Sequence, residues 1–151
     1  MNLTISSTNL LKALMDVSKA IPSKSPLPIL ENFLLVLKDG KLEITASDSE
    51  LTLKTSLEVT SADEEGSMAV PARHVLDLLK ELPDQPLTIS ATSDSSFECT
   101  WSSGNSTLPY FPAEDYPEIK GVGQDATKVT FPAETLLDGI NGTIYATADG
   151  T

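Results

Sequence analysis

The sequence predicts an α+β protein made of two strand–helix–three-strand halves, with both helices on one face of an antiparallel sheet. Three observations carry this. Apolar spacing changes from helical to alternating twice, in the same order each time. The stretches "VPARHVLDLL" (70–79) and "FPAETLLDGI" (131–140) are spelled alike, 61 residues apart. The 151 residues are 40% hydrophobic but only 5% aromatic, so the core must be built of Leu, Ile and Val.

The first half opens with "LTISSTNLLKALMDVSKAI". A short strand precedes Ser7 or Thr8, either of which suits a helix N-cap. Leu10, Leu11, Leu14, Val17 and Ile21 recur at helical spacing, opposite Asn9, Lys12, Asp16 and Lys19. This is an amphipathic helix with one buried stripe. Prolines at 22, 26 and 28 then impose an extended loop. In "FLLVLKDGKLEITASDSELTLKTSLEV" the period drops to two, giving three strands. Asp39-Gly40 marks a tight hairpin and "SDSE" a second turn. "TSADEEGS" reads as an acidic surface loop.

The second half repeats the order. "MAVPARHVLDLLKEL" supplies a short strand and a helix, with Pro71 at the first helical position, where its missing N–H costs nothing. Val75, Leu76, Leu78, Leu79 and Leu82 form the apolar stripe. Three strands follow, "PLTISAT", "SFECTWS" and "NSTLPYF". Leu10 and Leu11 align with Val75 and Leu76, a register of 65 residues. A third unit begins at "TKVTFPAETLLDGINGTIYATADGT", with a strand and a helix but no sheet. The expected organisation is a domain over 1–120, a linker over 121–128 and the start of a second domain over 129–151. The chain is expected to be the front part of a longer protein, and Leu136, Leu137 and Ile140 to lack their sheet.

Little points to catalysis. His74 has no partner at zinc-ligand spacing. Cys99 alternates with apolar strand positions and reads as a small core residue. One cysteine permits no internal disulfide. No glycine-rich phosphate loop or nucleophile elbow is present. Asp48 and Glu50 fit a turn better than a metal or acid–base pair. No cofactor and no metal are expected. The N-terminus lacks the pattern of a signal peptide, and no apolar run is long enough to span a bilayer. The expectation is a soluble, cytoplasmic protein with no membrane partner.

The net formal charge of −12 argues against nucleic acid taken alone. Its distribution argues otherwise. Residues 9–24 hold Lys12, Lys19 and Lys24 against Asp16, whereas between Lys80 and Lys120 there are seven acids and no base. If both helices lie on one face, Lys12, Lys19, Arg73 and Lys80 share a surface with Lys24 at its edge. Most carboxylates are then expected on strands and hairpins, away from it.

"PLPILENFLL" (26–35), "VPARHVLDLLKELP" (70–83) and "FPAEDYPEI" (111–119), in this order, resemble the first domain of the bacterial DNA polymerase III β subunit family, the sliding clamps. "TFPAETLLDGI" resembles the entry to its second domain. The resemblance implies the DNA-clamp fold and a non-catalytic processivity factor. Such clamps close as head-to-tail dimeric rings around double-stranded DNA, sheets outside and helices lining the hole. The implied partners are duplex DNA, the DNA polymerase III catalytic subunit, the clamp loader and a second copy of the full-length chain. Lys24 and Arg73 match basic positions that contact DNA, with Lys12, Lys19 and Lys80 on the same wall. His74 and the strand edge at 103–108, with Ser103, Asn105, Ser106 and Leu108, match the dimer interface. There the family's better-known pattern has arginines and a phenylalanine, so hydrogen bonding and sheet continuation are expected in place of ion pairs. The competing expectation is an acidic α+β interaction module that never touches DNA.

Overall fold

The computed structural model describes residues 1–93, 95–118, 121, 123 and 126–148. The chain divides into two compact units, Met1–Ile119 and Lys120–Thr151.

In the first unit, β1 (Asn2–Ser6) leads into α1 (Ser7–Val17), and a loop runs to β2 (Asn32–Lys38), β3 (Lys41–Ser47) and β4 (Thr52–Glu58). The second half supplies β5 (Ser61–Glu64), β6 (Gly66–Pro71), α2 (Ala72–Lys80), β7 (Pro86–Ala91), β8 (Ser96–Trp101) and β9 (Gly104–Pro109). The two expected strand–helix–three-strand halves are therefore present.

The strands form two antiparallel sheets where the sequence suggested one. Their orders are β5-β1-β7-β8-β9 and β4-β3-β2-β6. The reason is an exchange between halves. β1 pairs with β7 of the second half, setting Leu3 against Ile89 and Ile5 against Leu87. β6 pairs with β2 of the first half, setting Phe33 against Val70 and Leu35 against Met68. All eight side chains are buried. The four-stranded sheet thus takes three strands from the first half and β6 from the second, the five-stranded sheet takes β1 from the first half and four strands from the second, and neither half can complete its sheet alone.

Helix faces follow the repeat. Ser7, Leu10 and Leu14 of α1 are buried, and so are Ala72, Val75 and Leu79 of α2 at the same register. Both stripes enter one core that draws on both sheets. α1 lies against β1, β3 and β4, α2 against β2 and β6, and the helices touch each other. Leu76, Leu78 and Leu82 are only partly buried at the edge of that core.

Several local expectations are corrected. The N-cap of α1 is Ser6, whose hydroxyl accepts the Asn9 N–H at 3.2 Å. β1 runs one residue further than its apolar pattern, so Ser7 enters the helix and is buried. Pro71 ends β6 and occupies the N-cap of α2, one residue before the first helical position. The acidic "SADE" is a strand, β5, pairing with β1 although all four side chains are exposed. Backbone pairing at a sheet edge needs no buried side chain. At Gly66, the first residue of β6, the Met1 Cβ stands 3.1 Å from where a side chain would begin. Asp39 and Gly40 both have positive φ, 51° and 71°, as the hairpin demands.

In the second unit, α3 spans Ala133–Asn141. The strand expected before it is absent among the described residues, because 126–132 pair with nothing there. Leu136, Leu137 and Ile140 are about half exposed, as a helix without its sheet should be. The linker 121–128 and the end of the 129–151 unit fall partly outside the described residues.

Candidate nucleic-acid interface

Burying Leu10, Leu14 and Val17 turns the opposite side of α1 to solvent, with Lys12 exposed on it and Lys19 exposed on the 3-10 turn Ser18–Ala20 that follows. Burying Ala72, Val75 and Leu79 does the same for Arg73, His74 and Lys80 on α2. Lys24 is exposed on the loop that follows α1. Ile21 packs against the core at the start of that loop and fixes where it leaves the helix.

The loop and α2 enclose a groove of about 440 Å³. Ser18, Ile21, Pro22 and Ser23 form one wall, and Ala72, Arg73, Leu76, Asp77 and Lys80 the other, with Glu31 completing the lining. Arg73 and Lys80 thus meet the Lys24 loop at a single feature. Lys12 and Lys19 stand on the neighbouring helix and make no ion pair among the described residues.

The expectation that carboxylates stay away from this surface is corrected. Asp77 sits between the two cations of α2. Its carboxylate is 3.9 Å from Arg73 Nε and 3.6 Å from Lys80 Nζ. Residues four and three apart lie on one helical face, so the contact follows from spacing. All three side chains are largely exposed, which keeps each pair weak. Glu31 adds a second acid to the groove. The sequence reading missed both, although the Arg73–Asp77–Lys80 spacing was there to be read.

The edge candidates lie on β8–β9. Ser103 is in the turn before β9, while Asn105, Ser106 and Leu108 are on the strand itself. β9 ends the five-stranded sheet, its only strand partner among the described residues being β8. Leu108 packs against the core, and the Asn105 amide donates to Glu98 Oε1 on β8. His74 is exposed on α2, a different element from that edge.

The residues weighed for chemistry have structural roles. Cys99 is buried in β8. Burial first, and the neighbouring Glu98 charge second, push its thiol up to about 12. It therefore stays protonated at neutral pH and is a poor nucleophile. Asp48 Oδ1 accepts the N–H groups of Leu51 at 2.7 Å and Glu50 at 2.9 Å, closing the β3–β4 turn. No helix of the described residues is long and apolar enough to cross a membrane.

Comparison with known proteins adds a consistent set of likenesses. The family model for the DNA polymerase III beta subunit, N-terminal domain, matches residues 1–120. A beta sliding clamp of Haemophilus influenzae is 32% identical over 152 residues, covering 99% of this chain and 40% of that protein. One of Vibrio harveyi is 33% identical over 120 residues, covering 80% of this chain and 83% of its own sequence. The chain spans about two fifths of the Haemophilus relative. Among solved structures, the DNA polymerase III subunit beta of Pseudomonas aeruginosa superposes with a TM-score of 0.90 at 30% identity, covering 100% of this chain and 40% of that one. A Helicobacter pylori beta clamp, solved with a DNA ligase peptide, gives 0.75 at 26% identity, over 81% of this chain and 34% of its own.

Proposed function

The chain belongs to the DNA polymerase III β subunit family, and on that premise we propose that it supplies the first domain of a sliding clamp. Residues 1–120 are the first clamp domain, 121–128 a linker and 129–151 the opening of the second. The full-length protein closes as a head-to-tail dimer around duplex DNA and tethers the replicative polymerase. It works in the cytoplasm, is placed on DNA by a clamp loader, and performs no chemistry of its own.

One observation carries this reading. α1 and α2 touch each other, bury equivalent stripes in one core, and leave Lys12, Arg73 and Lys80 on their outward faces, with Lys19 exposed on the 3-10 turn after α1 and Lys24 on the loop that follows. On this side five bases, Lys12, Lys19, Lys24, Arg73 and Lys80, stand among acids that include Asp16, Glu31 and Asp77, so a chain of net charge −12 has its bases gathered here. DNA carries about one charge per 1.7 Å of axis, so even a thin basic lining interacts with a duplex held nearby. A topological tether needs little affinity. Weak phosphate contacts let the duplex pass, and the acidic remainder of the surface repels a second one. At the β9 edge, open backbone groups with Ser106 and Leu108 offer sheet continuation to a partner subunit, with His74 a further contact.

The test uses the full-length product of the gene, loaded with its clamp loader onto nicked circular DNA. Half of the sample is linearised, and retention is compared by gel filtration at moderate salt. Protein held on circles and lost from cut ends is the expected result. Equal loss or equal retention on both would exclude encirclement and leave the interaction module or direct groove binding.

A further inference from the structure

We infer that Asp77 is a positioning residue that deliberately weakens the phosphate contacts of Arg73 and Lys80, keeping the helix side of this protein slippery toward a polyanion. The inference rests on the clamp reading for its purpose, but its physical content stands on α2 alone.

Arg73, Asp77 and Lys80 follow one another at i, i+4 and i+7, a single stripe on the outward face of the helix. The carboxylate lies within 4 Å of both cations but at 3.9 and 3.6 Å, beyond hydrogen-bond length. It therefore acts by charge and leaves their N–H donors unoccupied. The guanidinium has five N–H donors in a fixed fork, so Arg73 can still meet a phosphate. What changes is the cost. A phosphate drawn to either cation must come close to a like charge. Glu31 lies in the same groove, so its four charged side chains, Glu31, Asp77, Arg73 and Lys80, sum to zero. A groove built for tight phosphate capture would not carry two acids against two bases.

The same order recurs in the sequence of α1 and the 3-10 turn after it, where Asp16 stands between Lys12 and Lys19 at identical spacing. There Asp16 makes no ion pair among the described residues, so Asp77 is the member of the pattern with direct contacts. Because Asp77 is well exposed, its removal leaves the core intact.

The test measures binding of the full-length protein to a short linear duplex across a salt series, for wild type, Asp77→Asn, and Glu58→Gln as a control acid exposed on β4. Removing an attenuating charge should steepen the slope of log K against log salt by about one and tighten binding on the order of tenfold at low salt. Glu58→Gln should change neither, and the Asp77→Asn gain should vanish in an Arg73→Ala/Lys80→Ala background. An unchanged slope in Asp77→Asn, an equal gain in Glu58→Gln, or a gain that survives without Arg73 and Lys80 would each overturn the inference. Retention of wild type on closed circles is scored separately. Loss of retention counts against the clamp reading, and an unchanged slope counts against the role of Asp77.

Discussion

Ser7 and Gln85 hold each other twice across the fold. The Ser7 N–H donates to the Gln85 carbonyl at 2.9 Å, and the Gln85 N–H donates to the Ser7 hydroxyl at 3.1 Å. That hydroxyl also donates to the Pro83 carbonyl at 2.8 Å. The start of α1 is thereby latched to the loop between α2 and β7, where β1 of the first half pairs with β7 of the second. Ser7→Ala leaves Gln85 N–H and the Pro83 carbonyl without this partner beside a buried site. The expected loss is about 1–3 kcal/mol, read as a lower urea midpoint with an unchanged slope. A change within about 0.5 kcal/mol, the size of an ordinary surface substitution, would mean the latch carries no stability.

Tyr116 makes the opposite case. It is buried with Leu30 and Ala69, and its hydroxyl has no hydrogen-bond partner among the described residues. It lies near the Ser47 main chain without hydrogen-bond geometry, and burial, the larger influence, raises its pKa. Desolvating a hydroxyl without a partner costs free energy, so Tyr116→Phe removes the cost and keeps the ring. Stability should be unchanged or higher by up to about 1–2 kcal/mol in thermal unfolding. A clear loss would place a partner on that hydroxyl.

How much of this was legible differs by element. Both helices and the Asp39-Gly40 hairpin are written in side-chain spacing and turn chemistry, and the structure follows them. β5 was illegible because its four residues are all exposed, and its strand identity lives in the backbone groups it lends to β1. The two-sheet division was illegible for a related reason. Leu3 and Ile5 say which face of β1 is buried, but any apolar strand could pair with it. The cap of α1 was ambiguous because Ser6, Ser7 and Thr8 all carry hydroxyls, and only the burial of Ser7 decides. Of the site, the exposed cations were readable from helix faces. The acids among them were passed over because net charge was counted by segment, not by helical neighbour.

The β3–β4 turn should respond to pH through Asp48. The Leu51 N–H first, and the Glu50 N–H second, hold its pKa below the usual carboxylate value. A carboxyl depressed in the folded state contributes stability that is complete above its unfolded pKa, about 3.9, and is lost as pH falls through the lower folded value. Asp48→Ala should therefore lower the melting temperature at pH 7, and its deficit should narrow below about pH 4. Asp48→Asn keeps a turn-forming acceptor, so it should fall between the two at pH 7 and lack that acid-dependent narrowing. A deficit in Asp48→Ala that is constant from pH 7 to pH 3 would contradict the charge-assisted turn.

Lys24 and Arg73 separate affinity from topology. Each is an exposed cation, Arg73 lining the groove at the start of α2 and Lys24 on the loop after α1, next in sequence to Ser23 of the groove wall. If both reach phosphates in the full-length protein, Lys24→Ala should flatten the salt dependence of linear-duplex binding by about 0.9, and Arg73→Ala should flatten it too. The effect of Arg73→Ala should be the smaller of the two, because Asp77 already offsets part of its charge while Lys24 has no ion pair among the described residues. Neither change should shorten retention on closed circular DNA at moderate salt, since a closed ring is held by linkage. Loss from circles in step with loss from linear duplex would mean that phosphate contacts, not encirclement, hold this protein on DNA.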